Sequence, residues 1–217
     1  MVYVDYTDFY EYVLPEVHGC PKGVAKNAIR DAVIEFCDKS FIWSAPSLKT
    51  DIMTGFARYA FDARVDNAIP ATLTFVAISD SPIDIIGQKE MESVTKEWRN
   101  LTSSSPTKCF MDTANTIRLV GTPTQDIEDG LYVEVALKPS RSSTQCPDFI
   151  LENWAEAISH GALARLKAMV GRVWADANLV PYHRAEFRAG VSRAKSAVQK
   201  SRQIVSSTMR AQNFLGL

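Results

Sequence analysis

The sequence predicts an α+β protein: terminal helices packed as a helical bundle, an inserted antiparallel β-sheet or small β-sandwich, and an extended C-terminal arm. Apolar residues recur at helical spacing in residues 1–43 and 141–205, whereas β-branched and aromatic residues alternate with polar ones in residues 44–140. Neither pair of helices can bury its apolar face alone, so the two ends of the chain are expected to pack together, with the β-rich region inserted between them. Residues 206–217 form the predicted arm.

The N-terminal region contains two predicted helices. Asp5 or Thr7 can cap a short helix that runs to about Leu14, and a turn at Pro15–Pro21 follows it. The second helix runs to about Lys39. Its apolar residues form pairs four positions apart, which place one apolar stripe along the helix. These pairs are Val24/Ala25, Ala28/Ile29, Ala32/Val33 and Phe36/Cys37.

The central region is punctuated by Gly, Pro, Asn and Asp, which favours short strands joined by turns. The predicted strands are 47–53, 56–62, 71–79, 108–111, 116–120 and 131–138. Thr54-Gly55 predicts a tight turn between the first two strands, and Asp112–Asn115 a turn between the fourth and fifth. Glu128-Asp129-Gly130 opens the last strand. A helical segment is expected at about 89–99, and Thr102–Pro106 is expected to be a loop.

The C-terminal region returns to helical spacing. Asp148 is the predicted N-cap of a helix that runs to about Met169. Its core stripe consists of Leu151, Trp154, Ala155, Ile158, Ala162, Leu166 and Met169. Asn178 can cap a last helix that carries Pro181 in its first turn and reaches about Val205.

A second stripe on the first of these helices consists of small residues. Its members are Ala157, Gly161, Ala164 and Ala168. Small side chains at this spacing let another backbone approach closely. The stripe fits tight packing inside one subunit and a contact between subunits equally well, so both alternatives stay open.

The charge of the chain is unevenly distributed. The 24 basic and 25 acidic residues give a net charge of −1. Residues 161–217 hold ten basic residues and two acidic ones, a net charge of +8, whereas residues 1–160 carry a net charge of −9. An acidic body with a basic C-terminal quarter indicates a charged partner.

Composition and local patterns exclude several classes of protein. Hydrophobic residues make up 46% and charged residues 23% of the chain, which is typical of a globular protein and excludes disordered, collagen-like and coiled-coil chains. The first residues lack the features of a secretory signal, and no run of 18 apolar residues exists, so no membrane partner is expected. The four cysteines form no CxxC pair, which favours reduced thiols in a protein made in the cytoplasm.

Catalytic signals are weak. The motifs of serine hydrolases, P-loop proteins, zinc proteases and dinucleotide-binding proteins are absent. Glu152, Glu156 and His160 share one helical face and are the best candidates for a metal or acid–base site, but a solvated or subunit-facing polar stripe explains them more simply. We therefore expect no catalytic residue, metal or cofactor, and keep a small hydrolase that uses these three residues as a third hypothesis.

The end of the chain is strongly basic. Its cations are Arg184, Arg188, Arg193, Lys195, Lys200, Arg202 and Arg210, against the single acid Glu186. Phosphate contacts to nucleic acid, docking on an acidic protein surface, and a solvated helix face are all compatible with this pattern. Aromatic residues do not alternate with the cations, as base stacking requires. The apolar end, which contains Phe214, Leu215 and Leu217, suits a protein groove, so docking on a protein is favoured.

Six segments near the two ends of the chain share a pattern with a known family. They are LPEVHGCP (14–21), AIRDAVIEFCDKS (28–40), VALKPS (135–140), CPDFILENWAEAISHGALARL (146–166), VWAD (173–176) and YHRAEFRAG (182–190). In this order they resemble the head-to-tail connector adaptors, or neck proteins, of tailed bacteriophages. The segments are structural motifs rather than catalytic ones.

The resemblance implies a structural, non-enzymatic component of the virion neck that is assembled in the host cytoplasm. Such adaptors form a ring, usually of twelve copies, beneath the portal, extend the DNA channel and provide the platform for the tail. The implied partners are the portal protein, further copies of the chain, and a tail, nozzle or stopper protein. The implied portal-docking part is the basic helix and arm, Arg184 to Leu217.

The distribution of charge is consistent with a channel through which duplex DNA passes without specific binding. Contacts from Lys and Arg to phosphates supply most non-specific affinity, so an acidic wall lowers friction. The opposite-signed parts of the chain also suit the heterologous interfaces of a ring, where one patch meets a different patch on the neighbour. The alternative function is a DNA-binding accessory protein that uses the basic C-terminal helix.

Overall fold

The computed structural model describes residues 1–46, 49–61, 65–94 and 97–214, with the backbone alone for Val94 and residues 201–214. The helices are α1 (Tyr10–Val13), α2 (Lys22–Ser40), α3 (Gln88–Val94), α4 (Asp148–Lys167) and α5 (Val180–Phe214). The strands are β1 (Tyr3–Asp5), β2 (Ser44–Pro46), β3 (Thr50–Ile52), β4 (Arg58–Ala60), β5 (Ala68–Ile78), β6 (Ser81–Pro82), β7 (Asp84–Ile85), β8 (Thr102–Ser103), β9 (Lys108–Thr113), β10 (Thr116–Val120), β11 (Thr122–Pro123), β12 (Ile127–Pro139) and β13 (Gln145–Pro147).

The predicted α+β class is confirmed, because the structure contains both helices and several antiparallel sheets. The chain divides into two compact units. One, which we call the helical unit, comprises Met1–Ile42 together with the residues from Pro139 onward, and the other comprises Trp43–Lys138. Both borders lie within two residues of the ends of the predicted β-rich insert at 44 and 140.

The N-terminus of the helical unit is fixed by a short strand that the sequence analysis missed. In β1, Tyr3 lies opposite Pro147 of β13 in antiparallel register. Asp5 then caps a 3₁₀ helix, Tyr6–Phe9, by accepting a hydrogen bond from the backbone N–H of Thr7 at 2.9 Å. Of the two predicted caps, the structure therefore uses Asp5. A three-residue strand has no alternation long enough to be recognised in a sequence.

Helix α2 follows the predicted register. Its buried residues are Ala25, Ala28, Ile29, Ala32, Val33, Phe36, Cys37 and Ser40. The Phe36 ring lies 5.4 Å from the ring of Trp154 on α4 and 6.3 Å from the ring of Phe187 on α5. Helices α2, α4 and α5 therefore pack against one another around this aromatic cluster.

Two predicted boundaries in the C-terminal region are wrong. Asp148 is the first residue of α4 rather than its N-cap, which is Pro147, and its carboxylate accepts a hydrogen bond from the N–H of Phe149 at 2.9 Å. The predicted extended arm 206–217 is also incorrect, because α5 continues to Phe214. Residues 206–214 contain neither Gly nor Pro, so nothing in the local sequence ends the helix there. Residues 215–217 lie outside the described residues.

The second unit contains two larger sheets. One has the order β2-β12-β5-β6, with β3 paired to β12, and the other has the order β4-β10-β9-β7. Strand β7 runs parallel to β9, and β8 runs parallel to β11, so the strand pairing is mixed rather than purely antiparallel. Met91, Trp98, Phe110 and Val120 form a buried cluster in this unit.

The local turns of the second unit were easier to predict than its strand partners. The predicted turn at Thr54-Gly55 is present, but β3 and β4 on either side of it pair with β12 and β10 in different sheets and not with each other. The hairpin of β9 and β10 is confirmed. The helix expected at 89–99 ends at Val94, with a 3₁₀ turn at Trp98–Asn100, and the loop expected at Thr102–Pro106 contains β8.

Two further findings bear on the excluded classes. Among the described residues, no helix combines the length and apolar composition needed to cross a bilayer. The four cysteines are free thiols, and Cys37, Cys109 and Cys146 are buried. Burial raises the pKa of the Cys109 thiol to about 12, which keeps it protonated and unreactive at neutral pH.

Candidate interaction surface on the C-terminal helix

Helix α5 has one buried side and one exposed, basic side. Val180, His183, Phe187, Gly190 and Ala194 are buried at the spacing of three to four residues that a helix requires for one continuous face. This face packs against α4 and α2. The predicted docking residues Arg184, Arg188, Arg193, Lys195 and Lys200 are all exposed.

Small residues set the close approach of α4 and α5. A Cβ atom built on Gly190 would lie 2.5 Å from the Cβ of Ala157, and a Cβ built on Gly161 would lie 2.6 Å from the ring of Phe187. Ala157, Gly161 and Ala164 are therefore buried within one chain, whereas Ala168 is exposed. For these three residues the structure shows the intrachain contact that the sequence left open. A contact between subunits at the stripe stays a prediction.

A groove lies where α2, α4 and α5 meet. Its volume is about 420 Å³. The residues that line it are Glu35 and Lys39 on α2, Gly161, Ala164, Arg165 and Ala168 on α4, and Arg184, Phe187 and Arg188 on α5. With four cations and one carboxylate, this arginine groove carries a net positive charge.

The single acid of the arginine groove is already engaged. Glu35 forms ion pairs with Lys39 and with Arg165. Burial opposes ionisation of Glu35, but the hydrogen bonds and charges of Lys39 and Arg165 outweigh it and hold the pKa of this carboxyl below its ordinary value. Arg165 also donates a hydrogen bond to the carbonyl of Gly161 at 2.6 Å. These two cations are therefore structural and are not free to hold a ligand.

Arg184 and Arg188 differ from the other two cations of the arginine groove. Both are exposed, and within the described part of the chain neither has an acidic partner. They lie four residues apart on α5, a spacing at which like charges repel and cost a helix about 0.2–0.5 kcal/mol. Two guanidinium groups that lack acidic partners and lie beside a part-apolar groove are suited to bind carboxylates of another protein. Arg binds a carboxylate through two hydrogen bonds.

The remaining predicted docking residues lie farther along α5. Lys195 is 5.5 Å from the centre of the Phe41 ring, while Arg193 and Lys200 have no ion pair among the residues described. Arg202, Arg210 and Phe214 fall in the part of α5 for which the backbone alone is described, and Leu215 and Leu217 lie outside the described residues. Their role in docking stays a prediction.

The face proposed for metal or acid–base chemistry is arranged differently from the prediction. Glu152 and Glu156 are exposed, while the Nδ1 atom of His160 lies 2.8 Å from the Nδ1 atom of His183 on α5. Among the residues that the structure describes, no three metal-type ligands lie close enough to share an ion. His160 thus joins two helices, which is a structural role.

The buried imidazole of His183 makes the packing of α5 sensitive to acid. Its side chain is 2% exposed, and its Nε2 atom is 3.5 Å from the carboxylate of Glu16. Burial lowers the pKa of His183, Glu16 opposes this shift, and the nearby His160 and Lys167 add to it. In the folded state His183 therefore binds its proton less readily than in the unfolded chain.

The sign of the pH dependence follows from this shift. Because the unfolded chain binds more protons at His183, the contribution of this residue to the free energy of unfolding should be complete above the ordinary histidine pKa of about 6.5. This contribution should be lost as the pH drops below that value. Urea unfolding followed by far-UV circular dichroism between pH 7.5 and 5.5 measures this. His183→Gln should flatten the dependence in this window. His18→Gln, at an exposed histidine, should leave it unchanged, and equal profiles for both variants would contradict the assignment.

Three charged residues of the arginine groove, Glu35, Lys39 and Arg165, were not predicted as site residues from the sequence. Glu35 and Lys39 are four residues apart on α2, a recognisable spacing for an ion pair, so this contact could have been predicted from the sequence. The bridge from Arg165 to Glu35 joins residues 130 positions apart, and no local pattern indicates it.

The comparison with known proteins agrees with this structural reading. Residues 19–212 match the family model of the SU10 adaptor protein. A search of curated proteins found no match. The matched range contains α2, α4 and every residue of the arginine groove, and the family is one of structural phage adaptors rather than enzymes. Because the match spans most of the sequence, the chain belongs to the SU10 adaptor protein family, and it is a phage adaptor.

Proposed function

We propose that this adaptor forms a ring beneath the portal of a tailed phage, extends the DNA channel and provides the platform to which the tail binds. Family membership supplies the adaptor role. The observation that supports the finer proposal is the length and charge of α5. We assign its distal part, from Arg193 onward, to the contact with the portal.

The length of α5 supports an external partner. At a rise of 1.5 Å per residue, its 35 residues span about 52 Å, whereas the 20 residues of α4 span about 30 Å. About 20 Å of α5 therefore has no part of α4 beside it. This stretch lies at the end of the distal part and contains Arg202 and Arg210, and no acidic residue lies anywhere between Arg193 and Phe214. A long cationic helix end is the form expected of an element that docks on an acidic protein surface.

The acidic body supports passage of DNA without binding. Residues 1–160 carry a net charge of −9, and non-specific DNA affinity comes mainly from contacts of Lys and Arg with phosphates. A ring whose cations are engaged with a protein partner presents few of them to the genome. The duplex can then slide through.

Charge reversal on distal α5 tests the portal contact. The triple variant Arg193→Glu, Lys195→Glu, Lys200→Glu should weaken binding of the full chain to portal rings at least tenfold, because it replaces attraction to an acidic surface with repulsion. The matched control reverses three exposed cations elsewhere, Lys22→Glu, Lys89→Glu and Arg172→Glu. Sedimentation of the adaptor with purified portal from the same phage measures both. Equal losses in the two triple variants would argue against docking through α5.

The same proteins distinguish the adaptor from a DNA-binding accessory protein. Fluorescence anisotropy with duplex DNA at rising salt should show no binding at moderate salt for the wild-type chain. Micromolar binding with a steep salt dependence, lost in the distal triple variant, would instead favour the DNA-binding alternative. Failure of the wild-type chain to bind portal at all would contradict the proposed function.

A further inference from the structure

The helical unit carries a second charged surface, opposite in sign to the arginine groove. It comprises Glu11 and Tyr12 on α1 and Glu152 and Glu156 on α4, all exposed, and we call it the acidic face. Helix α1 packs against α4, and the neighbouring carboxylate of Glu11 together with the charge of Glu152 raises the pKa of Tyr12, as expected for side chains on one surface. In the described portion of the chain, none of the three carboxylates has a basic partner.

The acidic face and the arginine groove lie on different sides of α4. At 3.6 residues per turn, Glu152 and Glu156 are about 120–180° around the helix axis from Gly161 and Ala168. The acidic residues also lie in the first half of α4 and the groove residues in the second half. Two different surfaces on different sides of one body cannot pair within a chain, but they can pair head to tail between copies.

Exposed apolar residues accompany both surfaces. Beyond α4, Val170 is 95% and Val173 is 92% exposed, and Val170 lines a cavity that shares Ala168 with the arginine groove. At the other end, Tyr12 is 43% and Val2 is 67% exposed, and the carbonyl of Val2 accepts a hydrogen bond from the N–H of Asp148 where α4 begins. Apolar side chains this exposed, beside unpaired charges of opposite sign, are typical of protein contact surfaces.

We propose that the arginine groove of one copy binds the acidic face of the next copy, with Arg184 and Arg188 holding the carboxylates of Glu152 and Glu156. The proposal rests on the ring of the proposed function and names the surfaces that close it. The occupant is a second copy because the same chain carries both complementary surfaces. A repeated contact between two unlike patches is what a cyclic assembly requires. Arg184 and Arg188 thus hold neighbouring copies, while distal α5 holds the portal.

Two charge-reversal variants and their mixture test this contact. In Arg184→Glu/Arg188→Glu both surfaces are acidic, and in Glu152→Arg/Glu156→Arg both carry the groove's positive sign. Each variant alone should reduce the number of copies assembled per portal ring at least tenfold at a fixed concentration. An equimolar mixture should restore assembly, because the reversed surfaces then meet oppositely charged ones in alternation. Native mass spectrometry or electron microscopy of the particles counts the copies.

The controls separate this inference from the proposed function and from misfolding. Far-UV circular dichroism checks the fold of each variant, and binding of a single copy to portal through distal α5 should persist. The milder variants Arg184→Gln/Arg188→Gln and Glu152→Gln/Glu156→Gln should each reduce assembly at least threefold and serve as the test if a reversal unfolds the chain. Wild-type assembly by either reversed variant alone, or folded variants whose mixture does not assemble, would overturn the contact. Failure of the wild-type chain to bind portal overturns the ring itself instead.

Discussion

Replacing Phe36 with Ala should lower the free energy of unfolding of the helical unit by about 3–5 kcal/mol, the usual cost of truncating a buried Phe. Phe36 is fully buried, and its ring contacts the rings of Trp154 and Phe187 on the two other long helices. Its removal leaves a cavity at the point where all three helices meet. Tertiary packing rather than intrinsic propensity supplies most helix stability, so the loss should appear in the whole helical signal.

Urea unfolding followed at 222 nm measures this loss on the full chain. Phe56→Ala is the matched control, because Phe56 is 58% exposed. Surface substitutions of this kind usually change stability by less than about 0.5 kcal/mol. A loss below about 1.5 kcal/mol for Phe36→Ala would mean that the cluster does not hold the three helices together, since buried Phe truncations cost more.

Replacing Gly190 with Ala should destabilise the helical unit by about 1–2 kcal/mol, although Ala is the better helix former by about 1 kcal/mol. The added methyl group would lie 2.5 Å from the Cβ of Ala157, well inside the usual carbon–carbon contact of about 3.5–4.0 Å. Overpacking of this kind typically costs about 1–3 kcal/mol, and the site favours the upper end because both groups belong to helix backbones. Helices α4 and α5 would have to move apart.

Two further variants isolate the cause. Gly23→Ala on α2 makes the same change where nothing lies within 4 Å, so it should leave stability unchanged or raise it by up to about 1 kcal/mol. Ala157→Gly added to Gly190→Ala removes the colliding methyl group and should recover part of the loss, a coupling that a double-mutant cycle measures. Parallel effects of the two Gly→Ala substitutions would show that α4 and α5 are not in tight contact.

These two sites connect stability with the proposed assembly. Gly161 and Phe187 line the arginine groove, and the same close crossing of α4 and α5 brings Arg184 and Arg188 beside the α4 residues. A substitution that separates the two helices therefore widens the groove as well as weakening the fold. Variants of Gly190 should consequently lose copies on the portal ring before they unfold.

Local patterns predicted much of the helical unit. The four-residue spacing from Val24 to Cys37 predicted α2 and its buried face, because a helix repeats its environment every 3.6 residues. The charge count alone singled out the basic C-terminal quarter. The end of α5 was predicted too early, at about Val205, because an extended arm was assumed to follow. Residues 206–214 give no stop signal, and the helix continues through them.

Strand partners could not be predicted in the same way. The turn at Thr54-Gly55 is encoded locally, but the strands beside it pair with β12 and β10, more than 50 residues away. Period-two alternation assigns a strand its faces and says nothing about its neighbour in the sheet. The parallel pairs β7–β9 and β8–β11 show the same limitation.

The sequence by itself determined the helical faces, the family pattern and the separation of charge, because each of these depends on residues close together in the chain. The tertiary structure alone decided that Glu35, Arg165 and Arg184 meet in one groove, and that Arg184 and Arg188 remain unpaired there among the described residues. The small residues at 157, 161 and 190 set the distance between α4 and α5. That distance determines which side chains of α2, α4 and α5 become neighbours. Such contacts arise from packing between helices, which no local period encodes.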